Sequence, residues 1–150
     1  MDLFDRISAD IKAAMLAKEK VRLEALRNAK KYFLEAKTAP GAQDTLKDED
    51  ALKIIQKLVK QGKDSARIYA EQNRADLADA ELEQVSVLET YLPKQMSVED
   101  LETELRQVIM QVGATGPQDM GKVMGVATKI LAGKAEGRTI SETVKRLLAL

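Results

Sequence analysis

The chain has 150 residues, 45% of them hydrophobic and 32% charged; 24 basic residues balance 24 acidic ones, and there is no Cys, His or Trp. That length suits one domain or two small ones and can bury about two-thirds of the surface its unfolded form exposes. The missing Cys and His exclude disulfides, thiolate metal sites and the commonest general base, and aromatics at 3% leave Leu, Ile, Val, Ala and Met to form the core, which suits packed helices.

Met1-Asp2-Leu3-Phe4-Asp5-Arg6 lacks the basic-then-apolar order of a signal peptide. No apolar run approaches the ~18 residues of a membrane span. The expectation is a soluble, cytoplasmic protein. The charge is unevenly spread: residues 1–60 carry 13 basic and 10 acidic residues, 61–112 carry 5 and 11, and 113–150 carry 6 and 3. Basic ends flanking an acidic middle permit a polyanionic partner.

In chain order, Leu3, Phe4, Ile7, Ile11 and Met15 recur at helical spacing, as do Ala25, Leu26, Ala29, Phe33 and Ala36. One long helix, or two with a bend near Lys18, satisfies that pattern. Residues 38–44 are small, polar and turn-rich and read as a loop. A helix from about Asp48 to Gln72 puts Leu52, Ile55, Leu58, Val59, Ala66 and Tyr69 on one arc and Lys53, Lys57, Lys60 and Arg67 opposite. Gly62 in the apolar arc costs that helix about 1 kcal/mol relative to Ala, which predicts another helix crossing closely there. A further helix runs from about Ala75 to Tyr91 with Leu77, Val85, Leu88 and Leu92 inward, and Pro93 ends it. Ser97 opens the next as a capping-box variant and Gly113 closes it. Pro117 suits the first turn of a helix carrying Met120, Met124, Ala127, Ile130 and Leu131. Gly133 and Gly137 bracket a turn, and Thr139-Ile-Ser-Glu142 is a second capping box before Val144, Leu147 and Leu148. The fold expected is all-α: an N-terminal helical bundle over residues 1–93, then a small three-helix domain over 96–150.

Carboxylate-only catalysis would need two acids in differing environments. Asp76, Asp79 and Glu83 share a helical face, but that face reads as solvated. Lys134-Ala-Glu-Gly137 lacks the strand-to-helix context and the Gly-Lys-Ser/Thr ending of a phosphate loop, and no dinucleotide fingerprint is present. No catalytic residue, metal ligand or cofactor is therefore assigned. Two basic features could meet nucleic acid: Lys18, Lys20, Arg22, Arg27, Lys30 and Lys31, and the Lys53/Lys57/Lys60 stripe. With few aromatics interleaved, contacts would go to phosphates or helical shape. Ordinary solvated faces are the plain alternative for both, and core filling is the plain reading of Met120 and Met124.

Several stretches together resemble one family. They are Arg22-Leu-Glu-Ala-Leu-Arg27, Val59-Lys-Gln61, Lys63-Asp-Ser65, Arg74-Ala-Asp-Leu77, Tyr91-Leu-Pro-Lys-Gln95 and Asp119-Met-Gly-Lys-Val-Met124. In this order they are similar to the GatB/YqeY family, in particular to its stand-alone YqeY-like members, over almost the whole chain. The resemblance implies a two-part helical protein whose second part is similar to the tail of the B subunit of glutamine-dependent Asp/Glu-tRNA amidotransferase, a carbon–nitrogen ligase. That tail is associated with holding tRNA, while a larger domain does the chemistry. Two departures stand out: Gly62 occupies a position where related sequences tend to carry Arg, and Thr139-Ile140 follows Gly137-Arg138 where small, acidic and Gly residues are usual.

The reading is a tRNA-associated accessory module with no autonomous catalysis, its partners tRNA and amidotransferase or other translation proteins. Its expected phosphate contacts are Lys122 and Lys129, i and i+7 on one helix, with Lys134 and Arg138 on the adjoining turn. A protein–protein adaptor without RNA contact is the rival reading.

Overall fold

A computed structural model of the chain describes residues 1–149. Among the described residues there are seven α-helices and no strand: α1 (Leu3–Leu16), α2 (Lys20–Lys37), α3 (Asp48–Glu71), α4 (Ala75–Glu89), α5 (Val98–Val112), α6 (Met120–Ile130) and α7 (Gly137–Leu148). They fall into two compact units, Met1–Leu92 and Pro93–Leu150. The expected C-terminal domain runs on to Leu150, which lies outside the described residues.

In the first unit, Asp2 caps α1 by accepting the Asp5 N–H at 2.8 Å, and the Leu3 N–H donates to Asp48 at the start of α3, also at 2.8 Å. α1 and α2 are separate helices, because Lys18 takes a left-handed φ of 55° that no α-helix accommodates. Asn73, at φ 60°, makes the corresponding break between α3 and α4. Ile7, Leu26, Phe33 and Ile55 are fully buried in one core, with Val85, Leu88 and Tyr91 closing it from α4 and beyond. Met15 continues the apolar spacing of α1 but is 51% exposed, since α1 ends at the next residue.

The close crossing anticipated at Gly62 is present. A Cβ there would lie 2.5 Å from Val85 Cγ2, inside any van der Waals contact, so α3 and α4 pack backbone against side chain. An Arg at this position would have no room to leave the helix in that direction.

In the second unit Ser97 caps α5 by accepting the Asp100 N–H at 3.1 Å, and Gly113 ends it in the left-handed conformation at φ 68°. Leu101, Leu105 and Val108 of α5 meet Val123 and Ala127 of α6, Leu131 after it, and Ile140, Val144 and Leu148 of α7 in a second core. The inward phase of α6 is therefore Val123–Ala127–Leu131; Met120 and Met124 flank it half-buried, and Ile130 faces out. Pro117 opens a 3-10 turn that leads into α6. The second capping box is not formed. α7 begins at Gly137, two residues before Thr139, with Glu136 at the cap position, and the Thr139 carbonyl accepts from Thr143 Oγ1 inside the helix at 2.7 Å.

Candidate nucleic-acid interface

Lys122 and Lys129 stand two turns apart on α6, and both are exposed. Seven residues rotate a helix through almost two whole turns, so the two ammonium groups share one side, roughly 10 Å apart along the axis. Lys122 is 4.0 Å from Asp119, which also accepts the Thr115 N–H at 2.9 Å. That backbone donor, aided by the Lys122 ammonium, holds the Asp119 carboxyl below the ordinary carboxylate range. Lys129 lies in the last turn of α6, where a cation complements the helix dipole, and makes no ion pair among the described residues.

The turn after α6 is built rather than loose. Gly133 turns at φ 77°, and its carbonyl accepts the Gln95 side-chain amide at 2.7 Å. The Lys134 carbonyl accepts the Met96 N–H at 3.0 Å. Gly133 and Ala135 are buried while Lys134 between them is half-exposed, so the turn seats its neighbours and presents its lysine. Arg138 follows in the first turn of α7, exposed, with its Nε donating to Glu142 at 3.0 Å.

By residue count the second unit is almost neutral, with eight basic and seven acidic residues from Pro93 to Leu150. The excess seen over 113–150 is offset by Glu99, Asp100, Glu102 and Glu104 of α5. Folding sorts these charges. Glu102 pairs with Arg106 at 3.8 Å and with Arg146, so two cations are neutralised against α5. Among the described residues no ion pair joins Lys122, Lys129 or Lys134 to an α5 carboxylate, so these three cations form a local patch on α6 and the turn after it, apart from the exposed Lys94 and Lys145 of the same unit.

The first unit holds a polar network that pattern reading does not reach. Tyr91 is 6% exposed, its hydroxyl donates to Asp10 at 2.5 Å, and the Arg6 guanidinium lies 4.8 Å from its ring centre. Burial, then the bond to Asp10, pushes the Tyr91 hydroxyl up to about 12. It stays protonated at neutral pH as a donor. Arg22 lies beside the same hydroxyl, so two of the stretches that carry the family resemblance meet here. Both residues stand in stretches that carry the resemblance, Arg22-Leu-Glu-Ala-Leu-Arg27 and Tyr91-Leu-Pro-Lys-Gln95, but no helical spacing links one to the other. Asp76, Asp79 and Glu83 are exposed, and Asp76 is engaged by Arg74 at 3.1 Å. Among the described residues no acidic group is arranged to hold a metal, and no helix is long and apolar enough to cross a membrane.

A family model described as Yqey-like protein matches residues 4–148. Among curated proteins, the chain is 32% identical over 146 residues to altered inheritance of mitochondria protein 41, mitochondrial, of Meyerozyma guilliermondii, covering 95% of the chain and 74% of that relative. It is 37% identical over 87 residues to the protein of the same name from Vanderwaltozyma polyspora, covering 57% of the chain and 46% of the relative. The Pyrenophora tritici-repentis protein of that name is 26% identical over 145 residues, 95% of the chain and 79% of the relative. These names correct the cytoplasmic location expected from composition, for they point to mitochondria.

Proposed function

Because the chain belongs to the YqeY-like protein family, we infer that it is a non-catalytic RNA-contacting module, accessory to glutamine-dependent tRNA amidation, which holds tRNA through phosphate contacts on its second unit. The family's similarity to the amidotransferase tail supports the ligand class, and the mitochondrial names of the relatives favour that compartment. The observation that carries the reading is the braced turn after α6. Gln95 and Met96 fix the backbone of Gly133 and Lys134, so Lys134 is presented from an ordered frame just beyond the Lys122/Lys129 side of α6. Cations held on a fixed frame lose less entropy on meeting a phosphate than cations on a mobile loop.

The test replaces Lys122, Lys129, Lys134 and Arg138 together by Glu and measures tRNA binding by anisotropy across a salt series. Loss of about three to four phosphate contacts should flatten the slope of log affinity against log salt by roughly 3. An unchanged affinity and slope would remove this surface from the reading. Absence of tRNA binding by the unaltered chain at low salt would turn the search to protein partners.

A further inference from the structure

The first unit contains a groove between α2 and α3. α3 packs mainly on α4 and touches α2 only lightly, leaving a cleft of about 530 Å³ along the α2–α3 side. Its floor is apolar, from Ile54 and Leu58. Its walls differ. The α2 wall offers the Tyr32 ring and, one turn on, the Glu35 carboxylate; the α3 wall offers the Lys57 ammonium and, one turn on, the Gln61 amide. Tyr32 is 37% exposed, beside a fully buried Phe33, so its ring is held by the helix yet open to solvent. The Lys31 ammonium lies 5.3 Å from the Tyr32 ring centre. Among the described residues neither Lys57 nor Glu35 is in an ion pair, whereas Lys53 and Arg67 on the same side of α3 pair with Glu49 at 3.7 Å and Asp64 at 3.9 Å.

An aromatic face, a cation, an amide and a carboxylate around an apolar floor match the parts of a single nucleotide: a base to stack, a phosphate to neutralise and an amino edge to accept from. The volume is within the ordinary range for small-ligand sites. We propose that the α2–α3 groove binds single-stranded RNA one nucleotide deep, with a base on Tyr32, its exocyclic amine donating to Glu35, and a phosphate on Lys57. Glu35 fixes the polarity, because it repels a phosphate and rewards an amino group. Bases that carry an exocyclic amine are therefore preferred over uracil. Gln61 and Leu58 also border a smaller pocket of about 190 Å³ that holds Asn28, Ser65, Gln84 and the Glu81 carboxylate, so a strand continuing along the groove meets groups that suit ribose hydroxyls and not a second phosphate.

This site rests on the RNA-contacting reading of the chain but uses none of the α6–α7 cations, so the two fail separately. The experiment is anisotropy of the full-length chain with labelled oligocytidylate and oligouridylate of about six nucleotides, a length within the usual single-strand site size. Oligocytidylate should bind about fivefold more tightly than oligouridylate, one net hydrogen bond's worth, and Glu35→Gln should erase most of that preference. Tyr32→Ala should weaken oligocytidylate by about tenfold while Tyr32→Phe retains binding, as stacking requires. Lys57→Ala, at an exposed position, should flatten the salt slope by about 0.7. Thermal unfolding of each variant checks that the fold is kept. The groove is overturned if the oligomers do not bind at low salt, if Tyr32→Ala and Lys57→Ala bind as well as the parent, or if Tyr32→Phe fails to retain affinity. Full loss on reversing the α6–α7 charges, with Tyr32→Ala unchanged, would overturn it too and leave the tRNA-holding surface standing.

Discussion

Tyr91 carries the one polar contact in the first unit's core whose strength can be read through pH. Its hydroxyl is buried and bonded to Asp10, and its ionisation is pushed up to about 12 from an ordinary value near 10. A group whose pKa is raised by folding contributes stability that is fully present below the unfolded value and is lost as pH rises through the folded one. Tyr91 should therefore stabilise the chain fully below about pH 10 and progressively less toward pH 12. Tyr91→Phe removes the bond at every pH and should cost about 1–2 kcal/mol near neutrality. Urea titrations of parent and variant from pH 8 upward should then converge as the parent loses its advantage. A gap that stays constant through the alkaline range would show that the hydroxyl is not the group whose ionisation folding suppresses. This contact was not legible in the sequence. Eighty-one residues separate Tyr91 from Asp10, and no helical period links them.

At the scale of elements, most of the structure follows from local chemistry, and the misses have local causes. Ser97 and Gly113 bracket α5 as expected, because a hydroxyl cap and a left-handed glycine act within one turn of the backbone they serve. Thr139 matched the same cap pattern yet sits inside α7, since the turn fixed at Gly133 and Lys134 delivers the chain to helical geometry at Gly137. On α6 the expected Ala127 and Leu131 are buried with Met120 and Met124 packed beside them, whereas Val123 takes the central place and Ile130 faces out, because only packing against α5 and α7 decides which flank of a broad apolar arc is covered. Gly62 was the clearest success, for its cost in the middle of a helix demanded a partner at contact, and Val85 is that partner. Gly62→Ala should consequently destabilise the chain by about 1–2 kcal/mol in urea unfolding, overpacking outweighing the better helix propensity of Ala. In a Val85→Ala background, where the obstructing methyl groups are gone, the same change should become neutral or mildly stabilising. Additive costs in the double variant would mean that Gly62 is not held by its contact with Val85.

At the scale of the whole molecule, the informative property is what each unit lacks. All five aromatic residues, Phe4, Tyr32, Phe33, Tyr69 and Tyr91, belong to the first unit, and the second core is entirely aliphatic. The positions of these residues were plain in the sequence, but the charge sorting was not. Counting over 113–150 gave a basic stretch, whereas α5 brings its acids into the same unit and takes up Arg106 and Arg146 through Glu102. The α6 cations are therefore a local surface and not the expression of a basic domain, which is why their replacement, rather than a change in net charge, is the meaningful perturbation. The division of aromatics also separates the units spectroscopically. Tyrosine fluorescence reports the first unit alone, while far-ultraviolet circular dichroism reports the helices of both. Leu105 is fully buried in the second core, and its truncation to Ala should cost about 2–5 kcal/mol there. A unit this small has little stability to lose, so Leu105→Ala should pull part of the dichroism transition to lower denaturant while the tyrosine transition keeps its midpoint. Phe33→Ala, in the other core, should move the tyrosine transition. Equal shifts of both probes in Leu105→Ala would mean that the two cores melt as one cooperative system, and the second unit's surface would then have to be tested only in the context of the first.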